Sequence, residues 1–488
     1  MNTPESPAEK PHPTAVIATL AFGGTVAAIM QTLVTPLIAE LPQILDTPAS
    51  NAAWVITVTL LVAGVAVPIA GRLGDLLGKR TMLLACTVPL MAGSVICALA
   101  TSVVPMIVGR GMQGLGMGIV PLGIAMLRDV VPPARLSGAI ALVSASMGIG
   151  GGLGLPIASA VAEYTSWRVL FWGAAVLAAV VGTLIWTFVP ATPAAARGQR
   201  FDLPGALGLA VGLVSLLLAI SKGADWGWAS GTTLGLFALA VVALGTWGWW
   251  ETRTTDPLVD LRTTARPRVL MTNIASVFVG VGMYAQMLVF PQLLQLPEAT
   301  GYGLGQSMLA AGLWMAPGGL TMMVISPLGG KLIDSRGPKF TLATGALVIA
   351  VGYGLALVLM GTALGLMITG IVISSGVALA YGSMPALIMG AVPMSETAAA
   401  NGFNTLMRSL GTTIGSAVIG VVLAQMTMNL GGVTLASENG FRVALVLGGA
   451  VCLVSALVAA FIPAARPATG QDTPGAQPES APAQPVEA

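Results

Sequence analysis

Long apolar runs separated by short polar segments dominate the chain. A helix needs roughly 20 apolar residues to cross a bilayer core about 30 Å thick, and most of the runs reach that length. Seven runs lie near residues 14–38, 52–71, 81–100, 104–127, 137–161, 168–189 and 204–221. Seven more lie near residues 230–250, 269–291, 305–328, 340–360, 363–386, 399–425 and 441–462. The pattern therefore predicts fourteen membrane-spanning helices.

The composition agrees with a membrane protein. Hydrophobic residues make up 55% of the chain and charged residues 8%, whereas about a quarter of the residues of a soluble domain are charged. Lipid permits only helices or closed β-barrels. Barrel strands would alternate apolar and polar residues over about ten positions, but the runs here are continuous. We therefore expect an all-α integral membrane protein in a lipid bilayer.

The lysines and arginines between the runs indicate the orientation of the chain. Positively charged short loops stay on the cytoplasmic side. With a cytoplasmic N-terminus, only Arg168, Lys222 and Arg442 fall in external loops. The sequence thus predicts a multi-pass protein of the cytoplasmic membrane with both termini inside, a cytoplasmic N-terminal tail at residues 1–13 and a disordered C-terminal tail at residues 463–488.

Several function classes lack the residues that they need. The single histidine, His12, lies in the polar N-terminal tail, which argues against a histidine metal site or a histidine general base. The sequence contains neither a Walker A loop nor a GxSxG elbow, so we predict no enzyme and no cofactor. The net charge is +2, and no basic patch exists outside the short loops, which argues against a nucleic acid partner. We expect a monomer.

A short glycine motif occurs twice in the sequence. The pattern Gly-x-Leu-x-Asp-x-x-Gly is found at Gly71, Leu73, Asp75 and Gly78, and again at Gly330, Leu332, Asp334 and Gly337. The copies follow the second and the tenth predicted spans, which favours six spans, two inserted spans and six more. The predicted parts are a six-helix bundle at 14–189, a linker with two inserted spans at 190–268 and a second six-helix bundle at 269–462. Repeated six-helix bundles around a central site are a transporter design.

The first motif copy contains a carboxylate among cations. A tight turn needs glycine, and Lys79 and Arg80 can hold the turn on the cytoplasmic side. Asp75 could pair with Arg72 or Arg80, or it could face the N-terminal end of a helix of the opposite half, where the helix dipole favours negative charge. Such a contact would break when the halves rock apart, so both copies are candidate gates. The alternative is a structural clip that also sets topology.

Further motifs carry a resemblance to a known family. The motif GRLGDLLGKR at 71–80 is accompanied by RGMQGLG at 110–116 in span four and by Trp167-Arg168 at the start of span six. Together they resemble the major facilitator superfamily, and the six-plus-two-plus-six arrangement is similar to its fourteen-span drug:proton antiporter branch. The resemblance covers nearly the whole chain outside the tails. It implies a role for Arg110 in proton relay or its control.

The fifth predicted span is rich in glycine. In GIGGGLGLP, Leu155 separates the last glycine from the proline, where the antiporter branch has Gly directly before Pro. Small residues let helices approach closely in lipid, and the resemblance also implies a hinge or a seal against proton leak. The candidate residues are Gly148, Gly150, Gly152, Gly154 and Pro156.

Ionisable and strongly polar residues in the spans are candidates for proton coupling. An arginine at a helix centre costs at least about 2.5 kcal/mol, so Arg110 should face the protein interior or a wet cavity. Gln113 lies on the same helix face and could hold it. Span one has no acid before Glu40, although the branch often carries an aspartate there. The predicted coupling residues are Arg110, Gln113, Glu40 and Asp75, and other carboxylates near helix ends are Asp129, Glu163 and Asp334.

Polar, aromatic and methionine side chains in the spans predict a substrate cavity, since methionine suits adaptable binding surfaces. The predicted cavity residues are Gln31, Thr35, Tyr284, Gln286, Trp314, Met315, Asn404 and Arg408. Packing or lipid contact is the alternative for the methionine and the tryptophan. Arg408, near the cytoplasmic end of predicted span thirteen, could instead snorkel to the membrane interface.

The predicted function is proton-coupled export, by antiport, of a small amphipathic drug-like or secondary-metabolite molecule. An uptake symporter on the same fold and a non-transporting membrane sensor remain alternatives. Because the charges within the spans are Arg110 and Arg408, we expect neutral or weakly anionic substrates.

Overall fold

The computed structural model describes residues 13–34, 37, 41–52, 54–430 and 433–463. Within these residues, fourteen helices are long and apolar enough to cross a membrane, so the predicted number of spans is confirmed. The residues Thr35 and Glu40 and nearly all of both predicted tails lie outside the described residues.

The helices are numbered as spans 1–14 in chain order. Spans 1–7 are Pro13–Thr32, Trp54–Leu77, Lys79–Leu99, Val103–Val130, Pro133–Tyr164, Arg168–Phe188 and Leu203–Trp226. Spans 8–14 are Gly231–Glu251, Pro267–Gln295, Met308–Arg336, Pro338–Leu359, Ala363–Met389, Met394–Gln425 and Glu438–Ala460. Span 4 contains a 3₁₀ turn at Gly116–Gly118, and span 13 begins with one at Met394–Glu396 and continues as the α-helix Thr397–Gln425.

Short elements connect some of the spans. The short helices are Leu41–Ile44, Ala49–Ala52, Leu261–Thr264 and the 3₁₀ turn Glu298–Thr300. Spans 13 and 14 are joined through two antiparallel strands, β1 (Thr427–Leu430) and β2 (Val433–Ala436), with Thr427 opposite Ala436. The apolar pattern did not predict this strand pair.

The buried side chains divide into two large clusters and a smaller one. The first cluster is built almost entirely from spans 1–6 and the second from spans 9–14. The third joins spans 7 and 8 to residues of spans 2 and 13. The fold is thus two six-helix bundles with two inserted helices. Span 2 packs along span 13 and span 5 along span 10, so these two pairs hold the bundles together.

The two glycine motifs lie largely within helices, whereas the sequence predicted them in turns. Span 2 continues through Leu77 and span 10 through Arg336. Each helix stops at a glycine with positive φ, 98° at Gly78 and 84° at Gly337, a conformation that side chains with a Cβ rarely adopt. The next helix follows at once, so the turn is a single residue and Asp75 lies on the last helical turns of span 2.

Candidate functional site

Asp75 connects the two bundles. Its carboxylate is fully buried and accepts hydrogen bonds from the backbone N–H of Ala398, at 3.1 and 3.2 Å, and of Ala399, at 2.9 Å. These amides belong to the first turn of span 13, where free N–H groups and the helix dipole favour an anion. Of the expected arrangements, the structure therefore shows the contact with a helix N-terminus of the opposite half. We call the contact of Asp75 with the Ala398 and Ala399 amides the latch.

Glycine at position 71 allows this close approach. A Cβ on Gly71 would lie 2.5 Å from the carbonyl oxygen of Ala398, so a larger residue would push spans 2 and 13 apart. A second contact lies nearby, because Arg128 at the end of span 4 donates to Thr397 Oγ1 at 2.7 Å and to the carbonyl oxygen of Val392 at 3.2 Å. One end of the interface between the bundles is thus closed by hydrogen bonds.

The cations that follow Asp75 have partners within their own bundle. Lys79 is buried and its Nζ lies 2.6 Å from Asp129 Oδ2. Arg80 donates to the carbonyl oxygen of Trp186 at 2.6 Å and lies over the Trp186 ring. Neither cation forms an ion pair with Asp75, so the negative charge of Asp75 is directed to the other bundle.

The second motif copy does not form an equivalent latch, contrary to the expectation of two matching gates. Asp334 is exposed, and no hydrogen bond or ion pair of its side chain is found within the described part of the chain. Gly330 still keeps its packing role, since a Cβ there would lie 2.7 Å from the Cα of Gly138.

A cavity of about 160 Å³ lies between the two bundles. Its walls come from spans 1 and 5 of the first bundle and spans 9, 10 and 12 of the second. Three of the predicted cavity residues, Gln31, Gln286 and Met315, line it. Further lining residues, which the sequence pattern did not indicate individually, include Met147, Met283, Met287, Met322, Ser374 and Tyr381. The clustering of methionine in the middle of the spans was the available signal.

Three of the predicted cavity residues lie elsewhere. Trp314 lines a small neighbouring cavity, and its Nε1 donates to Gln306 Oε1 at 3.1 Å. Tyr284 packs on span 13, where a Cβ on Gly415 would lie 3.3 Å from the Tyr284 Cβ. Asn404 belongs to a polar network described below. The sequence identified residues at mid-membrane depth, but the rotation of each helix decided which of them face the cavity.

Asn404 joins spans 13 and 9 inside the second bundle. Its Nδ2 donates to Asn273 Oδ1 at 2.9 Å and to Ser276 Oγ at 2.7 Å. All three side chains are buried. These hydrogen bonds fix the packing of the two helices rather than exposing polar groups to a substrate.

Two glycines of span 5 face the second bundle. Gly152 lies against Gly319 of span 10 so closely that a Cβ would overlap the Gly319 Cα, and Gly148 lies against Met322. Backbone contact of this kind between helices is possible only with small residues. The glycine pair therefore sets how closely the bundles approach beside the cavity.

The other predicted residues of this glycine segment contact the helices on both sides of span 5. A Cβ on Gly150 would overlap the Thr25 carbonyl oxygen of span 1, and a Cβ on Gly154 would overlap Thr32 Oγ1. Pro156 is buried and lies against Gly312 of span 10. Span 5 is thus held between span 1 and span 10.

Arg110 is fully enclosed within the first bundle. It is 1% exposed, and its guanidinium donates to the carbonyl oxygens of Val55 and Met30 and to Gln113 Oε1, at 3.2, 2.8 and 2.6 Å. Gln113 in turn donates to Ser94 Oγ at 2.8 Å. Arg110 therefore ties span 4 to spans 1 and 2 through oxygen acceptors, and the predicted contact with Gln113 is present.

Arg408 lies in the interior of the bundle interface. It is 7% exposed, roughly 16 Å along the helix from Thr397 at a rise of 1.5 Å per residue. Its guanidinium carbon lies 4.4 Å from the centre of the Tyr381 ring, and Nη2 lies 3.5 Å from Met147 Sδ. The alternative of snorkelling to the interface is wrong, because the side chain points to two residues that line the central cavity.

Two six-helix bundles that face each other across a central cavity are the architecture of a class of secondary transporters. The family model of the Major Facilitator Superfamily matches residues 20–416. The chain belongs to that superfamily, as the motif resemblance implied.

Related sequences include named drug transporters. The chain is 28% identical over 391 residues to the multidrug transporter protein MdtP of Bacillus subtilis, covering 77% of this chain and 69% of that protein. It is 30% identical over 377 residues to the multidrug resistance protein Stp of Mycobacterium tuberculosis, covering 76% and 68%. It is 27% identical over 425 residues to the uncharacterized MFS-type transporter YvkA of Bacillus subtilis, covering 85% and 91%.

Solved structures with the same fold include two transporters. The human organic anion transporter MFSD10 superposes with a TM-score of 0.65 at 17% identity, over 92% of this chain and all of that one. The proton:xylose symporter XylE superposes with a TM-score of 0.62 at 15% identity, over 92% and 96%. At these identities the likeness supports the fold alone.

Proposed function

We propose that this protein is a proton-coupled exporter of amphipathic drug-like or secondary-metabolite molecules in the cytoplasmic membrane, with both termini cytoplasmic. The names of MdtP and Stp support drug export. The distribution of lysine and arginine over the loops supports the orientation, which makes the end that carries the latch the cytoplasmic end.

The central cavity is the observation that carries the proposal. It is lined from both bundles by flexible methionines and uncharged polar groups, which suits substrates of varied shape. Its volume of about 160 Å³ resembles that of a cavity that binds benzene, whereas drug-sized sites measure roughly 300–1,000 Å³. The structure is therefore a contracted form, and the bundles must separate to admit a larger substrate.

The latch supplies a way to couple this separation to protons. Protonation of Asp75 removes the negative charge that the amides of Ala398 and Ala399 hold, so the cytoplasmic end opens more readily. Arg110 acts as a positioning residue. Its hydrogen bonds join span 4 to span 1 and to span 2, and span 2 carries Asp75. Glu40, the other predicted carrier, lies outside the described residues.

The membrane potential is a sufficient energy source for this exchange. One elementary charge that moves through 100 mV releases about 2.3 kcal/mol, and about 1.4 kcal/mol corresponds to a tenfold gradient. Exchange of one proton for one neutral molecule could therefore sustain roughly a fiftyfold gradient.

Flux in everted membrane vesicles tests the proposal. Vesicles from cells that express the wild type are energised so that the interior becomes acidic, and the uptake of a panel of neutral, anionic and cationic fluorescent amphipaths is followed. A proton-coupled exporter accumulates at least one probe, and a protonophore, which collapses both the pH difference and the membrane potential, abolishes the accumulation. The control is Gly152→Leu, which wedges the bundles apart at Gly319 and should express without transport.

Each other outcome contradicts the proposal. Release of preloaded probe on acidification identifies an uptake symporter. Specific binding without any flux identifies a sensor, and accumulation that survives the protonophore excludes coupling to the proton gradient.

A further inference from the structure

We propose that Arg408 binds the anionic group of an amphipathic organic acid at the wall of the central cavity, so that the preferred substrates are amphipathic carboxylates. The inference rests on the proposed function, since it names the substrate class of the same cavity. It starts from the unusual surroundings of this arginine.

Arg408 has few hydrogen-bond acceptors. A guanidinium carries five N–H donors, yet within the described residues the one acceptor that Arg408 reaches is Met147 Sδ at 3.5 Å, and a thioether accepts weakly. No carboxylate forms an ion pair with Arg408 in that part of the chain. A buried charge in this situation is costly.

Arg110 shows that such a charge can be satisfied within the fold. It is equally enclosed by the spans, but it donates to three oxygen acceptors. Arg72 also leaves its Nε without a partner, but it lines a different cavity whose wall includes the carboxylates Asp256, Asp260 and Glu396. An acceptor from outside the chain would complete the hydrogen bonds of Arg408.

The position of Arg408 lets a substrate supply that acceptor. Both of its neighbours, Tyr381 and Met147, line the central cavity. The Tyr381 ring holds the guanidinium by a cation–π contact, and Arg408 lies directly behind these two lining residues. The planar N–H fork of arginine matches a carboxylate in a bidentate arrangement.

The absence of charge in the rest of the cavity wall favours anionic over cationic substrates. None of the residues that line the cavity carries a charge, so no carboxylate offsets Arg408 there. A cationic substrate would meet only like charge, whereas an acid would place its carboxylate at Arg408 and its apolar body against the methionines. The wall thus favours an anion with an apolar body.

Matched acid and amide probes test this inference. Purified full-length protein is titrated by calorimetry with 1-naphthaleneacetate and 1-naphthaleneacetamide, with 4-phenylbutyrate and 4-phenylbutyramide, and with benzyltrimethylammonium. The wild type should bind at least one acid about tenfold or more tightly than its amide. Arg408→Gln should bring that ratio to about one, and Arg408→Lys should retain part of it.

Two control variants accompany the arginine substitutions. Arg442→Gln removes an exposed arginine that pairs with Glu438 and should keep the wild-type ratio. Tyr381→Phe retains the ring under the guanidinium and is the reference for Tyr381→Leu, which removes the ring. If Arg408→Gln fails to fold, the ratio in Arg408→Lys and in Tyr381→Leu decides the question.

The outcomes separate this inference from the proposed function. The inference is overturned if no acid binds the wild type, if acid and amide bind equally, if the quaternary ammonium binds most tightly, or if Arg408→Gln keeps the acid preference. Acid binding that depends on Arg408 but gives no flux in vesicles leaves the inference standing and removes the export proposal. Flux of the amides without a preference for the acids overturns the inference and leaves the export proposal standing.

Discussion

Replacing Asp75 by asparagine should open the end of the bundle interface that the latch closes. The two side chains have the same shape, so the substitution removes the charge with little change in packing. Asparagine keeps one oxygen acceptor for the amides of Ala398 and Ala399, but its Nδ2 now faces N–H donors. The closed form therefore loses a contact that the separated form never had.

The size of the effect follows from the contacts. Hydrogen bonds to a charged acceptor contribute about 1.5–3 kcal/mol each and neutral ones about 1 kcal/mol, and a partly buried charge at a helix end contributes up to about 2 kcal/mol. Asp75 makes three such contacts with two amides. Burial of the carboxylate costs free energy that offsets part of these contacts, so a net loss of about 2 kcal/mol is expected, which raises the ratio of separated to closed protein roughly thirtyfold.

The distance between spans 2 and 13 reports this ratio. Spin labels at Leu77→Cys and Met394→Cys, two exposed positions at the latch end, are measured by double electron–electron resonance in a lipid nanodisc. The free cysteines Cys86, Cys97 and Cys452 are buried and are replaced by alanine in the background. Asp75→Asn should move much of the distance distribution to longer values.

Asp334→Asn is the matched control, because Asp334 occupies the same motif position but is exposed. It should leave the distribution unchanged. The reasoning fails if Asp75→Asn leaves the closed population intact, or if Asp334→Asn shifts it equally.

Two further substitutions test the packing of the bundles. Gly152→Ala should reduce export and lower the melting temperature, since its Cβ meets the Gly319 backbone at a cost of about 1–3 kcal/mol. Gly151→Ala, where a Cβ has open space, should leave the melting temperature unchanged, and an equal decrease in both variants would contradict this. Lys79→Met should destabilise the first bundle by about 3 kcal/mol because it leaves Asp129 without its buried partner. The double variant with Asp129→Leu should recover most of that loss in a thermal unfolding assay, and no recovery would show that the pair does not act as a unit.

The asymmetry of the two glycine motifs has a functional consequence. Only the first copy, at the end of span 2, holds a helix N-terminus of the other bundle, whereas the second, at the end of span 10, contributes close backbone packing at Gly330. Spans 2 and 13 therefore carry the charge-dependent contact, and spans 5 and 10 carry the glycine contact. Separation of the bundles at the latch end should begin between spans 2 and 13.

The sequence by itself determined the number of membrane spans, the fold class and the repeat. These properties depend on local quantities, which are the length of each apolar run, the spacing of Gly71, Asp75 and Gly78, and their recurrence from Gly330. The sequence also singled out Arg110, because a charge in an apolar run is expensive wherever the helix packs.

Only the tertiary structure decided which of these residues meet. Helix rotation placed Gln286 at the cavity and Tyr284 against span 13, although they are two residues apart. Asp75 and Asp334 occupy the same motif position, but only Asp75 meets a helix N-terminus, and its partner lies more than 300 residues away in sequence. Contacts between distant helices depend on how all the spans pack together, and an apolar pattern along one chain does not contain that information.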